Sequence, residues 1–172
     1  MSRRTSLREF QENLARRLAG SHTGDRRTLL AVEAGHEHWL VDLTDTGEIL
    51  PVPTLTPVPL TRGWFRGIAN VRGTLYGVVD FSVFHHGGPI TPSGFARLLL
   101  LHPRHGTHSA LLFSRTTGLR SPDEFEPDDG AADERPWVSG RLRDVQERLW
   151  LRLDVPALIG DRAFLEAGVG EP

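Results

Sequence analysis

The stretch Trp64-Phe65-Arg66-Gly67-Ile68-Ala69-Asn70-Val71-Arg72-Gly73, followed by Leu75, Val78, Val79, Asp80 and Phe81, decides how this 172-residue chain is read. It reads as a helical turn, a short strand, a glycine turn that carries a charged arginine, and a buried strand. Arg72 stands between apolar residues and a glycine, and its five N–H donors need a carboxylate or an interface. Glu48, in the pair Glu48-Ile49, is the candidate carboxylate. A structural ion pair, a binding arginine, or one residue serving both ends fits equally well. Asn70 is expected to hydrogen-bond its local backbone and fix the turn. Gly73 is expected where backbone geometry or a close approach excludes a Cβ.

On either side of this block the pattern is that of short strands. Leu29–Val32 and Trp39–Leu43 are β-rich runs around a turn at Gly35-His36, a hairpin signature. Asp45-Thr46-Gly47 is turn chemistry, and Glu48-Ile49-Leu50 follows it. Pro51, Pro53, Pro57 and Pro59 then force an extended loop or edge segment, because proline removes a donor and fixes φ. Further strands are expected at Leu75–Phe81, Ala96–Leu101, Ser109–Phe113, Trp137–Ser139 and Leu149–Leu153. Helices are expected only at the ends. Ser6 and Glu9 have capping-box spacing, and Leu7, Phe10, Leu14 and Leu18 form one apolar stripe up to Ala19. Residues 1–27 thus read as an amphipathic helix and linker, and 28–168 as the main domain. Asp154 can cap a terminal helix that Gly160 divides. Asp123 to Glu134, with seven acidic residues in twelve, reads as a solvated loop dispensable for folding. Many short strands, Gly/Pro turns and terminal helices predict a mainly β, barrel-type architecture.

Composition excludes several chemistries. The chain contains no cysteine, so thiol nucleophiles, thiolate metal sites and disulfides are out. It contains no lysine either, which removes Schiff-base chemistry and the standard P-loop. A net charge of −2 argues against a nucleic-acid partner, since neutralising phosphates needs a basic excess. The longest strictly apolar run, Leu98–Leu101, is too short for membrane insertion, and no signal peptide is evident, so a cytoplasmic protein is expected. His102, His105 and His108 are interrupted by Pro103 and Gly106, so they read as loop histidines, not metal ligands. His36, His38 and the adjacent His85-His86 add no ligand pattern. No nucleophile elbow or dinucleotide fingerprint is present, so no catalytic residue, metal or cofactor is assigned. A small-barrel nucleic-acid binder and a histidine-dependent metalloenzyme are the readings from other classes, and both lack a supporting pattern.

Glu48-Ile49, Val58-Pro59, Gly67-Ile68-x-Asn70-Val71-Arg72-Gly73 and Val78-Val79-Asp80-Phe81 together resemble the CheW-like domain of bacterial chemotaxis adaptors. Trp39–Leu43 matches the strand before the family's Glu-Ile pair, and Trp137–Gly140 with Leu149–Leu158 its closing strands and helix. The likeness runs from about Leu29 to Ala167. It implies two small five-stranded β-barrels on a shared hydrophobic core, with no catalysis. It implies an adaptor located at membrane-associated receptor arrays, with a methyl-accepting chemotaxis receptor and a CheA-like histidine kinase as partners. The receptor is expected in a groove between the subdomains that accepts a helical hairpin tip. Glu48, Ile49, Asn70, Arg72, Gly73 and Asp80 are the receptor- or kinase-binding residues the resemblance implies. The N-terminal helix, acidic loop and tryptophan-rich first half look most like the adaptors of type IV pilus (twitching-motility) systems. A flagellar chemotaxis adaptor is the alternative.

Overall fold

A computed structural model describes residues 27–169, and the expected N-terminal helix lies outside the described residues. Twelve strands form two six-stranded sheets among these residues. The first sheet contains β1 (Leu29–Ala34), β2 (Glu37–Asp42), β9 (Arg115–Arg120), β10 (Glu126–Pro127), β11 (Val138–Arg143) and β12 (Leu149–Leu153), in the order β10-β11-β12-β2-β1-β9. The second contains β3 (Thr46–Pro51), β4 (Leu55–Thr56), β5 (Phe65–Val71), β6 (Thr74–Asp80), β7 (Arg97–Leu101) and β8 (Ser109–Phe113), in the order β3-β7-β8-β6-β5-β4. The chain therefore lays one hairpin, builds the whole second sheet, and returns to finish the first. Pairing is antiparallel except for β12 beside β2 and β6 beside β8. Three short helices complete the fold among the described residues: α1 (Phe81–Phe84), α2 (Val155–Gly160) and α3 (Arg162–Leu165).

The apolar runs explain how the sheets pack. Side chains on a strand alternate between its faces. Leu30 and Val32 of β1, and Trp39 and Val41 of β2, enter a core shared by both sheets. Their neighbours Leu29, Ala31 and Leu40 enter a second core with Phe125 and Trp150. In the other sheet, Leu99, Leu101, Leu111 and Phe113 face the shared core, whereas Leu98, Leu100, Ala110 and Leu112 line a separate interior with Val78. Two curled β subdomains on a common core are thus present, each with six strands where five were expected. The sixth strands are the two-residue edges β4 and β10.

Local chemistry shifts several boundaries. The expected helical turn at Trp64 is absent, and β5 starts at Phe65. The turn at Asp45–Gly47 is instead a 3₁₀ turn over Leu43–Asp45, capped by Asp42 Oδ1, which accepts from Thr44 N at 3.0 Å. β9 runs beyond the apolar stretch because it is an exposed edge whose partner β1 supplies the pattern. The terminal helix divides at Gly160, with Asp154 and Asp161 capping its two halves.

One reading needs correction. The acidic segment is not merely solvated: Phe125 is buried, and Asp128 is only 4% exposed. Asp128 accepts from Arg141 Nε at 2.9 Å and from Arg143 Nε at 2.6 Å. These bonds hold its carboxyl below the usual carboxylate range. Asp133, bonded to Arg135, is held at about 2. His85, assigned no role from the sequence, has an enclosed side chain. Its side chain is 3% exposed, stacked on Trp39 at 4.9 Å between ring centroids. Its partners fix the tautomer. The Phe81 carbonyl can only accept, so Nδ1–H donates to it at 2.7 Å, and the Trp137 indole can only donate, so Nε2 accepts from it at 2.8 Å. Burial, with the charge of Arg135 adding to it, pushes the His85 pKa down to about 4.

Stability should therefore fall on acidification. The unfolded chain takes up a proton near pH 6.5, while folded His85 stays neutral until about pH 4. The stabilisation is complete above pH 6.5 and is lost as pH falls through this window, reaching about 3 kcal/mol at its lower end. Thermal melts between pH 7 and 5 should show this slope, and His85→Gln, though less stable at pH 7, should lose it. In the acidic segment, Asp128→Ala should lower Tm by about 3–6 °C. Changing Asp129 and Glu134 to serine should move it by less than about 2 °C. Equal melts for the two variants would mean the arginine pairs contribute nothing.

Candidate functional site

The β5–β6 hairpin places the two arginines of the diagnostic stretch in opposite settings. Val71 pairs with Thr74, leaving Arg72 and Gly73 as a two-residue loop. Both have positive φ, +50° and +86°, the backbone of a type I′ turn that matches strand twist. A Cβ on Gly73 would meet nothing within 4 Å, so glycine is there for its φ and not for space. Asn70 Oδ1 accepts from Gly73 N at 2.9 Å and closes the turn. Arg72 occupies a conformation that arginine seldom adopts, at the very tip of the hairpin.

Arg72 makes a bidentate pair with Glu48 of β3. Nη1 donates to Oε1 at 3.0 Å and Nη2 to Oε2. The bond to Arg72 holds the Glu48 carboxyl below its usual range, and the bond to Glu48 raises Arg72 further. In sheet order β3 stands three strands from β6, a gap of about 14 Å if the sheet were flat. The pair forms because the sheet curls its first strand round to the hairpin. Both side chains remain accessible, Arg72 at 73% and Glu48 at 38%. A buried structural pair is therefore ruled out. Ile49, beside Glu48, is exposed, and so is Leu75, which faces Asn70 across the hairpin. Leu75 is an apolar member of this face that sequence reasoning did not single out. Its mark is a large aliphatic residue two positions after the turn glycine.

Asp80 does not belong to this face. It is fully buried and sits at the N-cap of α1. Oδ1 accepts from Ser82 N and Val83 N, both at 3.1 Å. Oδ2 accepts from Ile90 N at 2.9 Å and from Arg66 Nη1 at 2.9 Å. Arg66 also donates to the Ile90 carbonyl at 3.1 Å. With every lone pair engaged, Asp80 can touch no partner, and the binding role implied for it is corrected to a structural one. Gly67, beside Arg66, lets β4 lie close against β5, because a Cβ there would lie 2.2 Å from the Thr56 carbonyl oxygen.

A groove of about 570 Å³ opens between the sheets, lined by Arg27, Arg104 and Arg152 against Asp42, Asp45 and Asp154. Leu153 and Pro156 add the little apolar surface it has. The histidines do not assemble: among the described residues no group of three or more His, Asp or Glu could hold a metal ion. His105 instead contacts Asp45 at 3.0 Å, and His102 caps the 3₁₀ turn Pro103–His105. Among the described residues no helix is long and apolar enough to cross a membrane.

Asp80→Ala should cost about 3–5 kcal/mol, since it strands the Arg66 charge and three amide donors. Asp80→Asn should cost less but still lower Tm clearly. Chemical denaturation of the two variants checks this, and wild-type stability in Asp80→Ala would contradict the buried network.

A family model described as CheW-like domain matches residues 28–163. Protein PilI of Pseudomonas aeruginosa is 25% identical over 141 residues, covering 78% of this chain and 76% of PilI. The crystal structure of the scaffolding protein TtCheW from Thermoanaerobacter tengcongensis superposes with a TM-score of 0.66 at 17% identity, covering 80% of this chain and 95% of TtCheW, a likeness in fold. With the two curled sheets, their common core and a family match across most of the chain, this protein belongs to the CheW-like domain family.

Proposed function

We propose that this chain is a non-enzymatic adaptor that couples a chemoreceptor to a CheA-like histidine kinase, in a system that controls type IV pilus twitching motility. The family match over residues 28–163 is the observation that carries the adaptor reading. The likeness to PilI supports the pilus assignment. Coupling of this kind needs no chemistry of its own. Holding receptor and kinase at high effective concentration and in fixed relation lets a small receptor shift bias the kinase's conformation. The Arg72–Glu48 tip supports such a role physically. Its guanidinium is already oriented by a carboxylate, so little rotamer freedom is lost when a partner binds. Exposed Ile49 follows Glu48 in the chain, and exposed Leu75 faces Asn70 across the hairpin. Asn70 and Gly73 act one step back, by holding the turn that aims Arg72. The charged groove between the sheets offers a second surface on which a helical tip with mixed charges could lie.

The test is binding of the cognate receptor tip and kinase regulatory domain to Arg72→Ala and Glu48→Ala. Because the pair is exposed, both variants should melt within about 2 °C of wild type. Receptor affinity should fall roughly tenfold or more for Arg72→Ala, and less for Glu48→Ala, which leaves the guanidinium in place. Wild-type binding of both partners by a normally folded Arg72→Ala variant would remove Arg72 from the interface. Failure of the wild-type protein to bind either partner would overturn the adaptor reading itself.

A further inference from the structure

A second groove, of about 520 Å³, lies at the opposite end of β5 from Arg72. Trp64 precedes β5 and Arg72 follows it, a separation of about 25 Å along an extended chain. Trp64, Phe84 and Trp137 form the aromatic floor, with Phe84 within 5.2 Å of both indoles. Arg62 and Arg162 stand at the rim.

The rim carries a positive excess. Arg62 donates through Nε to the Glu166 backbone carbonyl at 2.8 Å, and its two Nη groups have no partner among the described residues. Arg162 donates to Glu166 Oε1 at 2.7 Å, and its side chain is 88% exposed. The rim thus carries two guanidiniums and one carboxylate, Glu166, which among the described residues pairs with Arg162 alone. Arg135, the third cation lining the groove, is already spoken for by Asp133 and Glu37.

Close in the chain to Arg62 and Glu166 of the rim stand exposed apolar residues. Residues 60–62 pair with 167–169 through Val169 N to the Leu60 carbonyl and Arg62 N to the Ala167 carbonyl, both at 2.8 Å. This pairing sets Leu60 and Val169 side by side, both exposed, and exposed Leu165 directly precedes Glu166 of the rim. Leu60 has a φ of +57°, a left-handed conformation that is costly for a leucine and that here holds its side chain out in solvent, 75% exposed. A strained backbone that presents an apolar side chain to water marks a contact surface, not a packing solution.

We propose that this groove is a second docking surface, and that its occupant is an amphipathic helix of a partner protein carrying an aliphatic anchor flanked by carboxylates. The aromatic floor takes the anchor, Leu60, Leu165 and Val169 extend the apolar contact, and Arg62 and Arg162 take the carboxylates. An adaptor must hold two partners at once, and two surfaces at opposite ends of one strand allow that. The inference does not depend on what Arg72 contacts.

The probe is a synthetic amphipathic helix of about 18 residues, with leucines on one face and glutamates beside them, and a twin with lysine in place of glutamate. With the full chain labelled with ¹⁵N, the acidic peptide should shift the indole N–H signals of Trp64 and Trp137 and leave those of buried Trp39 and Trp150. The lysine twin should bind at least about tenfold more weakly, a margin of about 1.4 kcal/mol. The double variant Arg62→Glu, Arg162→Glu should reverse that preference. Leu60→Ser, a change at the surface, should weaken the acidic peptide without altering the charge, and Arg72→Ala should leave its binding unchanged. Equal binding of the two peptides, no shift at Trp64 and Trp137, or shifts confined to the Arg72 hairpin would overturn the proposal.

Discussion

A strand that buries both faces has no side left for water, and β1, β2, β7 and β8 are such strands. Their alternate side chains feed a shared core on one side and the interior of a curled sheet on the other. This double burial ties the two sheets together. Removing Leu99 from the shared core or Leu98 from the interior would open a cavity in a different layer of the same strand. It also explains the route of the chain. The β1–β2 hairpin has to be in place for the second sheet to pack on it, and β9 then returns to β1. The prolines of residues 51–59 lie where an edge can spare the hydrogen bonds they cannot make.

Much of this was legible in the sequence because uninterrupted apolar runs such as Leu98–Leu101 can only be buried strands or short buried helices, and their length favours strands. What escaped has an identifiable cause in each case. β9 presents Arg115, Thr117, Gly118 and Leu119 to solvent, so it shows no alternation of its own. α1 begins where Asp80 caps it, and an aspartate between a valine strand and a phenylalanine gives no hint of which side it serves. The acidic segment looked uniform in composition, yet Asp128 meets two arginines that lie thirteen and fifteen residues downstream. Pairing across a hairpin is invisible to composition. Of the site, the Glu48–Arg72 pair and the Asn70–Gly73 turn could be read from residue types and spacing. The burial of Asp80 and the exposure of Leu75 could not, because both depend on which face of β6 turns inward.

Arginine is the only strong cation here, and its geometry is used in ways lysine could not reproduce. Arg135 lies 5.1 Å over the Trp39 ring while also bonding Asp133 and Glu37. A planar guanidinium can stack on a ring and donate in its own plane at the same time. Arg120 does the same above Phe125, at 4.9 Å, while bonded to Glu124. The stacked arginine over Trp39 also bears on His85, which shares that ring and is kept neutral partly by the nearby positive charge. A histidine, two indoles and a guanidinium thus form one packed unit in which each donor faces an acceptor.

The β5–β6 hairpin shows how one residue type acquires two roles within seven residues. Arg66 and Arg72 both pair with a carboxylate, and in the sequence each stands beside a glycine. Arg66 meets a carboxylate that is wholly enclosed and already bonded to three backbone amides, so the pair is fixed and any loss strands a charge. Arg72 meets one that water reaches, so solvent screens the pair and its loss leaves nothing buried unpaired. The energetic consequence of the same contact therefore differs with burial. A pair that the fold does not need for stability stands accessible at a hairpin tip, in a left-handed backbone. Arg66 closes the base of the hairpin by bonding Asp80 of β6 and ties it to the following loop through the Ile90 carbonyl, at the end remote from Arg72.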